Sequence, residues 1–457
     1  MRENLRPIAS ILLGVALLLA GNGLLFTLLP LRGHADGFGS LAIGAIGSAY
    51  YAGFVGGCLL APYIILRAGH IRAFAALVAI AVTVGLAYPM AAAVWPWIVF
   101  RLVNGFCIAG FYLVIESWLN DRASNETRGF IMSSYVMVIY GAFTAGQMMV
   151  TLFPITGAED FMVGAMLASL AIVPVALTRS AQPAAITIVS FRPWQVYQTV
   201  PVGLVASFAI GVVNGAFFGL GPVSAARTGL STTEVAIFMS AATLAGAATQ
   251  WPAGRMSDRI DRRRVLLVLL IGAAISGLVL WLFATSGALL VGFGFVYGGL
   301  ALPGYALAAA HAYDKTDLAD MVPTAATVLL ANAVGATIGP LLAPLVMDQL
   351  GPRSLFLFTA AVEVVLAGYV FYRIKVQPSL TPPEKIEFDL ASTAPVGAMV
   401  TTEELDLEDP LVVVPEPYPP MPEADMPAAE APPMDTAEAE MPAAEVEVLP
   451  PENDKPA

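Results

Sequence analysis

Arg101, Asn104 and Glu116 stand in one otherwise apolar run, residues 94–119. A guanidinium, an amide and a carboxylate in such a setting can bind an anion, orient a polar solute or carry a proton. Burying an arginine at the centre of a membrane helix costs about 2.5–3.5 kcal/mol on insertion scales, so the residue implies a use. Arg101 either faces a cavity or lies about one turn inside the membrane surface and extends its guanidinium to water. Two more amides, Asn22 and Asn214, occupy matching places in two other apolar runs, and Gln147, Asn332, Tyr140 and Tyr305 are weaker candidates of the same kind. An amide there either meets a ligand or bonds a neighbouring helix. Glu363 has no basic neighbour in sequence and reads as a carboxyl bonded to another helix.

The elements that must position these groups are long apolar runs. The chain has 457 residues, 58% hydrophobic and only 12% charged, which a soluble protein of this size does not tolerate. At about 20 residues per crossing, apolar runs predict helices near 8–30, 41–66, 73–93, 96–118, 130–153 and 160–178. A second group lies near 198–222, 232–253, 265–285, 288–311, 322–347 and 353–374. The fold class is therefore an all-α polytopic membrane protein of about twelve spans. The two cysteines, Cys58 and Cys107, fall inside apolar runs and read as buried thiols. No phosphate-binding loop, metal-ligand spacing or hydrolase constellation is present in the sequence, so neither a cofactor nor an enzyme activity is expected.

Between two of the runs lies an island of charge, residues 254–264, with five arginines and two aspartates. It predicts a tight loop at the membrane surface. Gly254, Asp258, Arg259, Arg262 and Arg263 stand at the spacing of the loop motif of the major facilitator superfamily, which the chain resembles; Asp261 replaces the motif's second glycine. An offset of 192 residues lays Leu66, Arg67, Gly69, His70 and Arg72 on Asp258, Arg259, Asp261, Arg262 and Arg264, and Asn22 on Asn214. With the offset relaxed to 194, Gly105, Gly110 and Gly141 meet Gly299, Gly304 and Gly335. This is the signature of a duplicated half. Expected boundaries are a first half 1–178, a cytoplasmic linker 179–197, a second half 198–377 and a disordered acidic tail 378–457.

The resemblance extends further. Arg101 with Gly105 is similar to the family's fourth-helix motif, and Glu116-Ser117-Trp118 with Gly69-His70-Ile71-Arg72 resembles the YcaD-type bacterial branch. It implies a secondary transporter in which both first helices line a central cavity. In that frame Arg101, Asn104, Asn22, Asn214, Gln147 and Asn332 serve substrate or coupling. Gly254, Asp258, Arg259, Arg262, Arg263, Arg67, Arg72, Glu116 and Arg128 form the cytoplasmic gate, Glu116 pairing with Arg67, Arg72 or Arg128, and Gln250 joins them. Glu126, Arg128 and Gly129 resemble the start of the family's fifth helix. Gly335-x-x-x-Gly339-Pro340 is similar to a drug-antiporter motif but stands in the eleventh span instead of the fifth.

Sixteen basic residues fall on one side of the predicted spans against Arg32, Arg227 and Arg353 on the other, placing both termini in the cytoplasm, and the YcaD-type resemblance implies a bacterial inner membrane. Trp95 and Trp97 read as an interfacial belt. The tail from Pro378 holds 19 of 34 acidic residues and 2 of 22 basic ones, a net −17, leaving +5 for the membrane part. It is either a solvated extension or the docking segment of a cytoplasmic partner. Expected partners are the bilayer, a small anionic or polar solute and a coupling proton, with no nucleic acid. The rival reading is a membrane receptor signalling through the tail. Asp258→Asn is expected to shift the chain toward a state open to the cytoplasm, read as greater labelling of a cysteine at the cytoplasmic end. Unchanged labelling contradicts a gating role for Asp258.

Overall fold

The computed structural model describes residues 2–91, 93–123, 127–177, 188, 190–284, 286–317, 320–377 and 388. Residues 179–187 of the expected linker, Glu126 and the expected tail, apart from Phe388, lie outside the described residues. The first half contains α1 (Arg2–Ala35), α2 (Ser40–Ala68), α3 (His70–Ala87), α4 (Val94–Arg122), α5 (Arg128–Met149), α6 (Glu159–Leu170) and α7 (Ile172–Ala176). The short α8 (Pro193–Thr199) follows. The second half contains α9 (Pro201–Arg227), α10 (Thr232–Arg259), α11 (Arg262–Phe283), α12 (Gly287–Ala301), α13 (Gly304–Tyr313), α14 (Met321–Leu350) and α15 (Ser354–Val376).

Among the described residues, eleven segments are long and apolar enough to cross a membrane, with α6–α7 and α12–α13 each counting as one broken span. Both breaks sit beside a proline, Pro174 and Pro303, which removes an N–H from the helical ladder. α10 stands at the place of the twelfth expected span; it is 28 residues long and less apolar than the others, because it carries Thr243, Thr249 and Gln250 and ends in charge. Its start is fixed by a capping box: Ser231 accepts from the Glu234 N–H while Glu234 accepts from the Ser231 N–H.

The charged island is not the tight loop that its composition suggests. Arg255, Asp258 and Arg259 belong to α10, and α11 opens at Arg262, so only Ile260 and Asp261 connect the two helices. Helix continues through the charges because its backbone satisfies itself while the side chains reach out of the apolar layer. The equivalent turn in the first half uses Gly69 at φ +80°, a conformation that costs other residues a clash with the backbone. Asp261 sits at φ −55° and accepts a hydrogen bond from the Arg263 N–H at 3.0 Å, capping α11. Here the motif's glycine is unnecessary, and a helix-capping carboxylate takes its place.

Helices pack where small residues let backbones meet. In the first half α1 and α5 meet at Gly23 and Gly146, where an added Cβ would strike the carbonyls of Phe143 and Ala20. In the second half α9 and α14 meet in the same way at Gly211, Gly215, Gly335 and Gly339. The pair α2–α4, joined at Gly53 and Gly105, likewise corresponds to α10–α12, joined at Gly246 and Gly298. The repeat read in sequence is thus a repeat of packing. Across the halves α2 lies on α14, α5 on α10, and both α1 and α2 on α9.

At the end of the helices remote from the island, the halves close on each other. Gly44 on α2 faces the Pro340 carbonyl and Gly47 faces Gly219, so a side chain at Gly44 has no room. Arg227 donates to Ser40 Oγ at 2.6 Å and lies 3.7 Å from Asp348, linking α9 and α14 to the start of α2. Trp97 departs from its expected belt position: it is 1% exposed, packs on Tyr88 and Phe161, and donates to the Ala91 carbonyl at 2.9 Å, while Trp95 remains exposed. The first indole has a backbone acceptor inside the bundle and therefore does not need the interface.

Gly105 faces the Tyr50 carbonyl, whereas a Cβ on Gly141 meets nothing. Gly105→Val is therefore expected to cost about 1–3 kcal/mol or more through overpacking, lowering the melting temperature of the purified protein, and Gly141→Val to leave it near the parent's. Equal melting of the two variants contradicts close packing of α2 on α4.

Candidate functional site

A cavity of about 280 Å³ lies between the halves. The first half supplies Asn22 and Phe26 from α1, Tyr50, Tyr51 and Phe54 from α2, Tyr112 from α4 and Tyr140 and Phe143 from α5. Phe218 from α9, Thr243 from α10, Tyr305 from α13 and Leu329 and Asn332 from α14 complete it from the second half. Both first helices of the halves reach this wall, as the resemblance implied. Polarity is sparse. Asn22 donates weakly to Tyr50 Oη at 3.3 Å, and its own carbonyl oxygen is buried without a partner. Asn332 donates to the Ser207 carbonyl at 2.9 Å, which holds α14 to α9. Tyr140 donates to Gln250 Oε1 at 2.9 Å, joining α5 to α10 across the two halves just beside the cavity.

Arg101 is buried, 3% exposed, so it does not extend to the membrane surface. Its guanidinium lies 4.4 Å from the ring centres of both Phe26 and Tyr50 and donates to Asn104 Oδ1 at 3.2 Å. Two cation–π contacts in a dry setting offset much of the burial cost. Arg101 does not line the main cavity; it borders a narrow recess with Pro30, Ile43 and Gly219 toward the closed end, separated from the cavity by the two rings. Asn104 and Asn22 share a small pocket with Phe161 and Gly164 inside the first half. Asn214 has a buried carbonyl oxygen without a partner, and Gln147 is fully buried with both polar side-chain atoms unpartnered; neither borders the cavity. The amides thus divide: Asn22 and Asn332 reach the wall, and Gln147 and Asn214 stand behind it. The sequence candidates Tyr140 and Tyr305 also line the wall. The aromatic residues of α2, Tyr50, Tyr51 and Phe54, were missed, although their clustering within five positions of one apolar run was a usable signal.

At the island, charge is organised inside the second half. Arg262 reaches Asp314 at 2.7 Å, Asp258 at 3.1 Å and Ser257 Oγ at 2.8 Å, tying α10 and α11 to the end of α13. Arg263 pairs with Asp261 at 2.8 Å and donates to the carbonyls of Arg373 and Gln377, holding the last turn of α15. Burial raises the Asp261 carboxyl, but bonds from the Arg263 side chain and N–H outweigh it and keep that group below the ordinary aspartate range. Asp258 also accepts from the Phe388 N–H at 3.0 Å, and the Phe388 ring occupies the space that a side chain at Gly254 would need.

The pairing expected for Glu116 differs. Arg67, Arg72, Arg128 and Arg259 are exposed and make no ion pair among the described residues. Glu116 is fully buried on α4 and accepts from Tyr135 Oη at 2.8 Å, with His70 and Ser117 bonded to each other beside it at 3.1 Å. The inner part of α4 turns its carboxylate into the first half, away from the surface where the arginines stand.

The profile of the Major Facilitator Superfamily matches residues 11–316 and 203–406. An uncharacterised MFS-type transporter of Enterobacter sp. (strain 638) is 27% identical over 366 residues, covering 79% of this chain and 94% of the relative. The uncharacterised MFS-type transporter YcaD of Salmonella arizonae is 27% identical over 373 residues, covering 80% and 95%. Among solved structures, the nucleoside transporter NupG superposes with a TM-score of 0.68 at 16% identity, over 82% of this chain and 100% of that one. A bacterial homologue of the human lysosomal transporter Spinster, inward-facing and unoccupied, gives 0.64 at 13% identity, over 88% and 99%. At these identities the two structures speak for the fold alone. With a helical bundle of two repeated halves, a cavity between them and a profile match over most of the chain, the protein belongs to the Major Facilitator Superfamily, resembles its YcaD-type branch, and is a membrane transporter.

Proposed function

We propose that this transporter is a secondary active carrier that moves a small solute across the bacterial inner membrane by alternating access, coupled to protons. The observation that carries the proposal is the position of the cavity. It is walled by both halves, so any rocking of one half on the other changes which end opens onto it. The contacts that would have to exchange include the packing of α2 on α14 and of α5 on α10. On one side are Gly44 against Pro340 and Arg227 on Ser40; on the other, Tyr140 bonds Gln250.

In this reading the island faces the cytoplasm with both termini. Asp258, Arg262 and Arg263 hold the inner end of the second half as one body, with Gly254 and Arg259 beside them, so the gate moves as a block. Arg67, Arg72 and Arg128 supply the positive cytoplasmic rim of the first half. Residues 1–178 and 198–377 are the moving halves, 179–197 the linker between them, and 378–457 the segment open to a cytoplasmic partner. Asn22 and Asn332 contact solute, Arg101 and Asn104 set the closed end, and Gln147 and Asn214 support them from behind.

Glu116 suits the proton. It is a buried carboxylate on α4, one turn from the cavity residue Tyr112 and bonded to Tyr135 on α5, and intramembrane carboxylates of this kind mark proton paths. The test uses proteoliposomes and a solute first identified by thermal stabilisation of the purified protein. Glu116→Gln is expected to retain solute counterflow and to lose uptake driven by a pH gradient by about tenfold or more. Gradient-driven uptake at the parent's rate contradicts coupling through Glu116, and absence of counterflow by the parent protein contradicts transport of that solute.

A further inference from the structure

We infer that the solute is an uncharged, planar aromatic molecule with hydroxyl or amide-type groups at its edges. This rests on reading the cavity between the halves as the transport site.

Nine of the sixteen lining residues are aromatic, and none carries a charge. The rings do not form one flat platform. Phe26 meets Tyr50 edge to face at 4.7 Å and lies tilted against Phe143 at 5.4 Å, and Phe143 meets Phe218 at right angles at 5.9 Å. Such a box offers both ring faces and ring edges to a guest, the geometry that aromatic partners prefer. Small-molecule sites are built this way, with an apolar wall and a few polar groups that fix orientation.

The polar groups are also identifiable. Tyr51, Tyr112 and Tyr305 line the cavity, and their hydroxyls make no hydrogen bond among the described residues, although tyrosine hydroxyls ordinarily find a partner when buried. The carbonyl oxygen of Asn22 is unpartnered too. These residues come from α1, α2 and α4 of one half and α13 of the other, so a guest that satisfies them is polar at more than one edge.

Charge excludes the alternatives. An anion needs Arg101, but Phe26 and Tyr50 stand between that guanidinium and the cavity. This removes the basis on which an anionic solute was expected from sequence. A cation would find ring faces but no carboxylate on the wall, and Arg101 behind two of the rings opposes it. A charge buried without a counter-ion is strongly disfavoured, whereas a neutral guest loses little.

The test measures binding to the purified full-length protein with three probes that share one ring system: naphthalene dimethanol, naphthalene dicarboxylate and naphthalene bis(methylammonium). Binding is read by probe fluorescence and thermal stabilisation. The dimethanol is expected to bind at least about tenfold more tightly than either ion. Tyr51→Phe combined with Tyr305→Phe, which removes two hydroxyls and keeps both rings, is expected to weaken the dimethanol several-fold while unsubstituted naphthalene binds as before. Equal or tighter binding of an ion, no binding of the dimethanol, or unchanged dimethanol binding in the double variant overturns the inference. Binding requires no gradient and no turnover, so the dimethanol result stands apart from transport. A protein that binds the probe but shows no alternating access sinks the transport reading and leaves the solute class intact.

Discussion

Arg101 is the constraint on which the rest of the first half depends. A permanent charge deep in a bilayer must be compensated locally, and here compensation comes from the faces of Phe26 and Tyr50 and the amide of Asn104. No carboxylate takes part among the described residues. Those two rings belong to α1 and α2, so the guanidinium on α4 orders three helices at once. It also decides what the cavity presents. With the cation hidden behind them, Phe26 and Tyr50 offer the solute aromatic wall in place of charge.

The two halves share their packing and differ in their electrostatics. Glycines set the same helix pairs against each other in both halves, because close backbone approach in lipid is available only to residues without side chains. At the island end the halves diverge. The second half binds Arg262 and Arg263 internally through Asp258, Asp261 and Asp314, whereas the first half has Leu66 at the position of Asp258 and leaves Arg67 and Arg72 exposed. The second half therefore has an inner end braced by ion pairs, whereas the first has the buried Glu116–Tyr135 and His70–Ser117 contacts there.

The helical bundle and its repeat were legible in the sequence because hydropathy, glycine spacing and the offset of the two halves are local records of what lipid and packing demand. Arg101, Tyr140, Asn22, Tyr305 and Asn332 were legible as polar groups in apolar runs. What could not be read was direction. Asn104, Gln147 and Asn214 have the same composition around them as Asn22, and only the rotation of each helix separates wall from interior. Trp97 was misplaced for the same reason: an indole near a helix start serves an interface or a core, and the choice depends on Tyr88 and Phe161, distant in sequence. The helicity of Arg255–Arg259 was masked by charge, which usually signals a loop at a membrane surface.

The central claim is that the halves rock about the cavity, and distances between spin labels test it most directly. One pair joins Leu41 on α2 to Leu350 on α14 at the closed end; the other joins Arg72 on α3 to Arg264 on α11 at the island end. All four positions are exposed. In lipid nanodiscs the account predicts two populations for each pair, with lengthening at one end matched by shortening at the other as a bound probe or the pH changes. A single distance at each end, unmoved by probe and by pH, would contradict it.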